Sequence, residues 1–250
     1  MNDIDKALSN EVLNRWSNPH PDFASGNDPR STESSLLGLF YGSLDRAAAY
    51  NWLNGGRTLI DKTFLRILWA TESLEPTGLS FDEMASRVDY YVRQELAPLW
   101  DELDELNHEQ RHQLAPQLVE KAATGLFGSQ YNESAASRLL FFLCPQLPVF
   151  PFSHGHLQVL QALHPDTRIS DYADYHIACR QLLGRNMPKI YPQLPQSHSP
   201  CNNERTAVNQ ILSQSDWWPR RVLSQQLKEQ GDSMSLDTTA FGLRGSSQAA

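Results

Sequence analysis

Residues 121–154 read KAATGLFGSQYNESAASRLLFFLCPQLPVFPFSH, and this stretch decides the fold. A helix carrying Ala122 and Ala123 stops at Gly125, and a short glycine-containing turn, Leu126 to Gln130, follows. A second helix then begins with small residues, Ser134 to Ser137, and runs into the apolar block Leu139 to Cys144. That block is six residues long, far short of the ~20 needed to cross a bilayer, and it reads as the buried centre of a globular protein. A proline-punctuated loop, Pro145 to Phe152, leads to a further helix that Ser153 is placed to cap.

Outward from this centre the apolar spacing is helical almost everywhere, and β-branched alternation is scarce. Upstream, Ser80-Phe-Asp-Glu83 has the form of a capping box opening a helix with Met84, Val88, Tyr91, Val92 and Leu96, before Pro98. Asn107-His-Glu-Gln110 offers another start, for a helix reaching about residue 124, and Pro116 is expected to kink or divide it. Helices are expected at 4–16, from about 33 to 53, from there to about 72, and at 132–144, 154–163, 170–184, 202–213 and 217–230. Residues 187–200 hold four prolines and read as an extended linker. After Gly231 the chain turns Ser/Gly/Thr-rich and reads as a flexible tail over 231–250. The expectation is one all-α domain over residues 1–230, with 73–80 or 98–107 as the places where a sub-boundary would fall.

Composition bounds the function. Of 250 residues, 40% are hydrophobic and 20% charged, a globular balance. The formal net charge of −8 disfavours a generic nucleic-acid coat, since phosphate neutralisation supplies most non-specific affinity. Three cysteines without a CxxC pair leave no disulfide framework or cysteine zinc site in view. The acidic start, Met1-Asn-Asp-Ile-Asp, lacks a signal-peptide pattern, which places the chain in the cytoplasm and off the membrane. The nucleotide-binding and nucleophile-elbow glycine motifs do not occur, and no cofactor is expected.

Several residue groups invite a chemical reading. His108-Glu-Gln-Arg-His112 spells HExxH, the metalloprotease helix, but its neighbours are charged rather than apolar, so no metal is expected there. Ser153-His-Gly-His156 reads as an N-cap with two polar first-turn residues. Asp171 and Asp174 share a helix face, as paired carboxylates for base work or as first-turn acids favouring the helix dipole. Trp217-Trp218-Pro-Arg220-Arg221 has the composition of a nucleic-acid contact; it equally suits a helix start with tryptophan in the core and arginines solvated or ion-paired.

The order helix, glycine turn, Ala136-Ser137-Arg138 before an apolar aromatic run, then Pro148-Val-Phe-Pro151-Phe152, resembles the divergent bacterial branch of the 8-oxoguanine DNA glycosylase fold, over roughly residues 118–185. The resemblance implies a helix-hairpin-helix, orthogonal multi-helix bundle that engages modified or foreign DNA in a bacterial defence setting. Apart from the resemblance, a hairpin between two helices exposes amides that can hold a phosphate, here at Gly125, Gly128, Ser129 and Gln130, and Trp217, Trp218, Arg220 and Arg221 would complete a DNA face. Arg138 stands where the family has lysine, and arginine is no Schiff-base nucleophile. Pro151 and Phe152 occupy the region of the family's aspartate, leaving Asp171 and Asp174 as substitute acids. The alternative is a non-enzymatic helical subunit that docks onto a protein partner through its C-terminal helix.

Overall fold

The computed structural model of the chain describes residues 60, 62–190, 206, 209–211 and 216–244, and among them every regular element is a helix. In chain order these are α1 (Lys62–Glu72), α2 (Phe81–Tyr91), α3 (Leu99–Glu105), α4 (His108–Gly125), α5 (Glu133–Leu143), α6 (His154–Leu163), α7 (Tyr172–Ile190) and α8 (Trp217–Arg244). The described residues are mostly helical, as the apolar spacing predicts. The helices expected at 4–16 and 33–53 lie outside the described residues; of 202–213 only residues 206 and 209–211 are described, and they are helical.

Local chemistry starts these helices where the sequence places the signals. Ser80 caps α2 in a complete capping box, its Oγ accepting from the Glu83 amide while Glu83 reaches back to the Ser80 amide. Asn107 and Gln110 build the same box on α4. Ser153 caps α6 and Asn132 caps α5 by accepting from the amides of His156 and Ala135.

The helix ends depart more from expectation. α2 passes into a π-helical turn, Val92–Leu96, before Pro98, and α3 follows at once. α4 runs undivided through Pro116. α7 continues through Pro188 to Ile190, so the expected linker begins later than residue 187. α8 does not end at Gly231 but extends to Arg244, which corrects the expectation of a tail from 231. The reason is packing: a Cβ on Gly231 would lie 3.0 Å from the Gly155 carbonyl oxygen, so glycine is here because α6 and α8 cross at backbone contact. A helix-breaking residue type is serving as a contact surface.

The core is contiguous from Ile60 to Leu227 and includes apolar residues on both sides of 73–80 and of 98–107. α5 is its centre, with Ala135 to Leu143 buried on every face. A helix apolar all round belongs inside a protein, and α4, α8 and the 144–153 loop surround this one. Trp217 stacks on Phe141 with ring centroids 4.7 Å apart and donates its Nε1–H to the Phe141 carbonyl at 2.9 Å. No helix among the described residues is long and apolar enough to cross a membrane.

Candidate functional site

Two buried polar clusters flank α5. The first joins α1, α5 and α8. Glu72, the last residue of α1, meets Arg221 Nη2 through Oε1 at 2.8 Å and Arg138 Nε through Oε2 at 3.4 Å. All three side chains are at least nine-tenths buried. Burial pushes the Glu72 carboxyl up, but Arg221 first, then Arg138 and Lys228, outweigh it and hold it below the ordinary carboxylate range. Arg138 also donates to Ser134 Oγ one turn back. Gln225, with its amide turned so that the oxygen faces inward, accepts from Arg221 at 2.8 Å. Arg138 is therefore held by a carboxylate and a hydroxyl rather than aimed at solvent.

Beside this cluster lie His156 and Tyr175. The Pro151 carbonyl accepts from Tyr175 Oη at 2.6 Å and from His156 Nδ1 at 3.0 Å. A carbonyl only accepts, so Nδ1 carries the proton and His156 Nε2 is a bare, buried acceptor without a hydrogen-bond partner. Burial, then Arg138, pulls His156 down to about 4, so it is neutral at physiological pH. The expectation of His156 as a polar first-turn residue is corrected: it is a core residue, whereas His154 is exposed.

The second cluster is a line of imidazoles from the core to the surface. His176 Nε2 lies 2.9 Å from the Pro148 carbonyl oxygen and 3.4 Å from His112 Nδ1. His112 Nε2 lies 3.2 Å from Nε2 of the exposed His108. Burial pulls His112 to about 3 and His176 to about 4. The Pro148 carbonyl only accepts, so His176 Nε2 carries a proton.

The two imidazoles of the HExxH stretch lie together, with His112 Nε2 3.2 Å from His108 Nε2. Glu109, the motif's general base, is instead clamped by Arg180 at 2.6 and 3.2 Å, which lowers its pKa. Among the described residues no group of three or more His, Cys, Asp or Glu side chains is placed to hold a metal ion.

The other sequence-predicted residues are dispersed. Trp217, Trp218, Arg220 and Arg221 are at most 3% exposed, so they are core residues and present no face to solvent. Arg220 lies over the Phe141 ring and donates to three carbonyl oxygens: Val149 at 2.7 Å, Pro145 at 2.8 Å and Asp216 at 3.1 Å. Burial pushes it down to about 10, still a cation at neutral pH. Asp171 accepts from the Asp174 amide at 2.9 Å, and Asp174 accepts from the amide and hydroxyl of Ser170, which lowers its pKa. Both acids thus cap the start of α7 at the surface, while Arg138 is buried.

The α4–α5 turn does have the expected form. Gly128 sits at φ +78°, which glycine adopts without strain, and Leu126 and Phe127 turn into the core. Gly125, Ser129 and Gln130 are exposed. The turn's electrostatics run against phosphate. Tyr131, which donates to Glu133 at 2.6 Å, has its pKa raised by partial burial and then by Glu133, with Glu120 and Asp171 adding to it. Gly125 offers a carbonyl to Arg87 at 3.5 Å. Sequence reading did not single out Glu72 or the His176 link; Glu72 closes an amphipathic helix, and nothing local marks it as the partner of two distant arginines.

No family model, curated protein or solved structure matches the chain.

Proposed function

We propose that this chain is a non-enzymatic helical subunit that docks onto a protein partner. The observation carrying the reading is the outward face of α7. Ile177, 53% exposed, shares a groove of about 440 Å³ with Arg180, Gln181, Gly184 and Arg185. These positions fall at i, i+3, i+4, i+7 and i+8, a single stripe along one helix. Gly184 has nothing within 4 Å of its Cβ position, so a partner can approach the backbone there. Arg180 is already paired with Glu109, which leaves Arg185 as the groove's cation in a chain of net charge −8. The fitting occupant is an amphipathic segment with an apolar residue over Ile177 and a carboxylate toward Arg185.

The Trp-rich start of α8, the docking surface expected from sequence, is replaced in this reading because its tryptophans are spent on the core. A second reading keeps DNA engagement in a glycosylase-like protein, and what favours it is the α4–Gly128 turn–α5 pair. The acids around that turn and the Glu72-bound Arg138 weigh against it.

The test compares the tagged full chain with an Ile177→Asp/Arg185→Glu double variant and a Tyr90→Ser control, purified from native cells. Docking through α7 predicts a near-stoichiometric co-purifying protein that the double variant loses and the control keeps. Retention by all three proteins overturns the α7 surface. Salt-sensitive binding of duplex DNA in a filter assay, abolished by Gln130→Glu, would replace docking by the DNA reading.

A further inference from the structure

We propose that the partner seated in the α7 groove is a second copy of this chain, whose own α7 lies antiparallel across the first. Asp174 of each copy then meets Arg185 of the other, and Ile177 of each enters the space over the other's Gly184. The inference rests on the docking reading of α7 and names its occupant.

The exposed stripe of α7 is complementary to itself. Successive helix residues turn by about 100°, so Asp174, Ile177, Gln181, Gly184 and Arg185 share a face about 100° wide, with Asp174 and Arg185 on the same flank of it. Its charge is polarised along the axis. The carboxylate stands near the start of the helix and the guanidinium about 16 Å further on, at 1.5 Å per residue.

A two-fold operation reverses the direction of such a stripe and keeps equal flanks together. With the axis beside Arg180, Asp174 comes level with Arg185 of the second copy, and the same pair recurs at the other end because the interface is isologous. Ile177 comes level with the interval between Gln181 and Gly184 of the second copy, a ridge entering a groove. A parallel arrangement would instead set carboxylate against carboxylate and guanidinium against guanidinium.

The groups concerned are available. Arg185 is exposed and has no hydrogen bond or ion pair among the described residues. Asp174 takes the Ser170 amide at 3.0 Å and hydroxyl at 2.7 Å on Oδ2, which leaves Oδ1 to accept from a guanidinium. Ile177 is 53% exposed, and nothing lies within 4 Å of a Cβ built on Gly184. Arg180 meets its like near the axis, but Glu109 pairs with it at 2.6 Å in each copy. The net charge of −8 on each chain opposes unspecific self-association, so attraction has to come from a local match of this kind.

Sedimentation equilibrium of the full chain, from about 1 to about 200 µM, reads the association. The expected result is a monomer–dimer equilibrium in the micromolar range, since one helix face makes a small interface. Asp174→Arg and Arg185→Asp each place like charges together at both ends, and each should weaken the dimer at least about tenfold. Mixed in equal amounts, the two variants should form a heterodimer of near wild-type strength, because each end again holds one cation and one carboxylate. Gly184→Leu enters open space in the single chain, so it should keep its melting temperature and lose the dimer. It carries the test should loss of the Ser170 contact unfold Asp174→Arg. A chain that stays monomeric at about 200 µM overturns the inference. So does a dimer that neither Gly184→Leu nor Arg185→Asp weakens, or two folded charge variants that fail to pair on mixing. The docking reading fails separately: a monomeric chain whose Ile177→Asp/Arg185→Glu variant still loses a different co-purifying protein keeps docking and removes only the second copy.

Discussion

Glu72 is the residue on which the largest electrostatic imbalance depends. Arg138 and Arg221 are both buried against it, and Arg220 adds a third buried cation nearby on α8. Removing the anion leaves two guanidinium groups desolvated and uncompensated. Glu72→Gln should therefore destabilise the fold by about 3–5 kcal/mol, read from denaturant unfolding. A loss under about 1 kcal/mol would show that water reaches the cluster. Arg220 works differently, as a fork spanning Pro145 and Val149 of the loop after α5. Lysine keeps the charge but cannot reach both carbonyls, so Arg220→Lys should cost roughly 2–4 kcal/mol in the same measurement. These two arginine sites also mark what the sequence conceals. Two adjacent arginines beside two tryptophans look like a contact surface, because composition carries exposure only on average. Burial was decided by carboxylate and carbonyl partners more than seventy positions away.

At the scale of elements, legibility followed the range of the physics. Helix starts are local events: Ser80–Glu83 and Asn107–Gln110 hold their boxes within four residues, and both were readable. The centre was readable too, since the α5 block is apolar on all sides. Helix ends were harder, because Gly231 and Pro188 are breakers by propensity, yet the helices run through both, and at Gly231 tertiary packing overrides the propensity. Gly231 shows the override most sharply. Alanine favours a helix interior, so propensity alone predicts a stabilising Gly231→Ala change of about 1 kcal/mol. The crossing predicts the reverse, since the new Cβ meets Gly155 backbone at 3.0–3.2 Å, and backbone cannot rotate away. We expect a net loss of about 1–3 kcal/mol by denaturant unfolding. A stabilised variant would mean that α6 and α8 part without cost.

Across the whole molecule, three imidazoles and one carboxylate are folded into places that resist protonation. His156 and His176 are pulled to about 4 and His112 to about 3, each first by burial, while Arg221 leads the ion pairs that hold Glu72 low. The sign is the same for all four groups. A depressed folded pKa means that the unfolded chain binds the proton more tightly, so stability is full above the unfolded value and falls as pH descends toward the folded one. For the histidines the loss starts below about 6.5, their unfolded value, and continues to about 4; Glu72 extends it below about 4.5. Melting temperature should therefore be flat above about pH 7 and decline progressively from about pH 6 downward, well before ordinary surface carboxylates titrate. His176→Asn isolates one contribution: the amide can still donate to the Pro148 carbonyl yet cannot take a proton. Its melting temperature should fall less steeply between about pH 6.5 and about pH 4.5 than that of the wild type, even if it is lower at neutral pH. Parallel curves for the two proteins would place the acid sensitivity elsewhere in the chain.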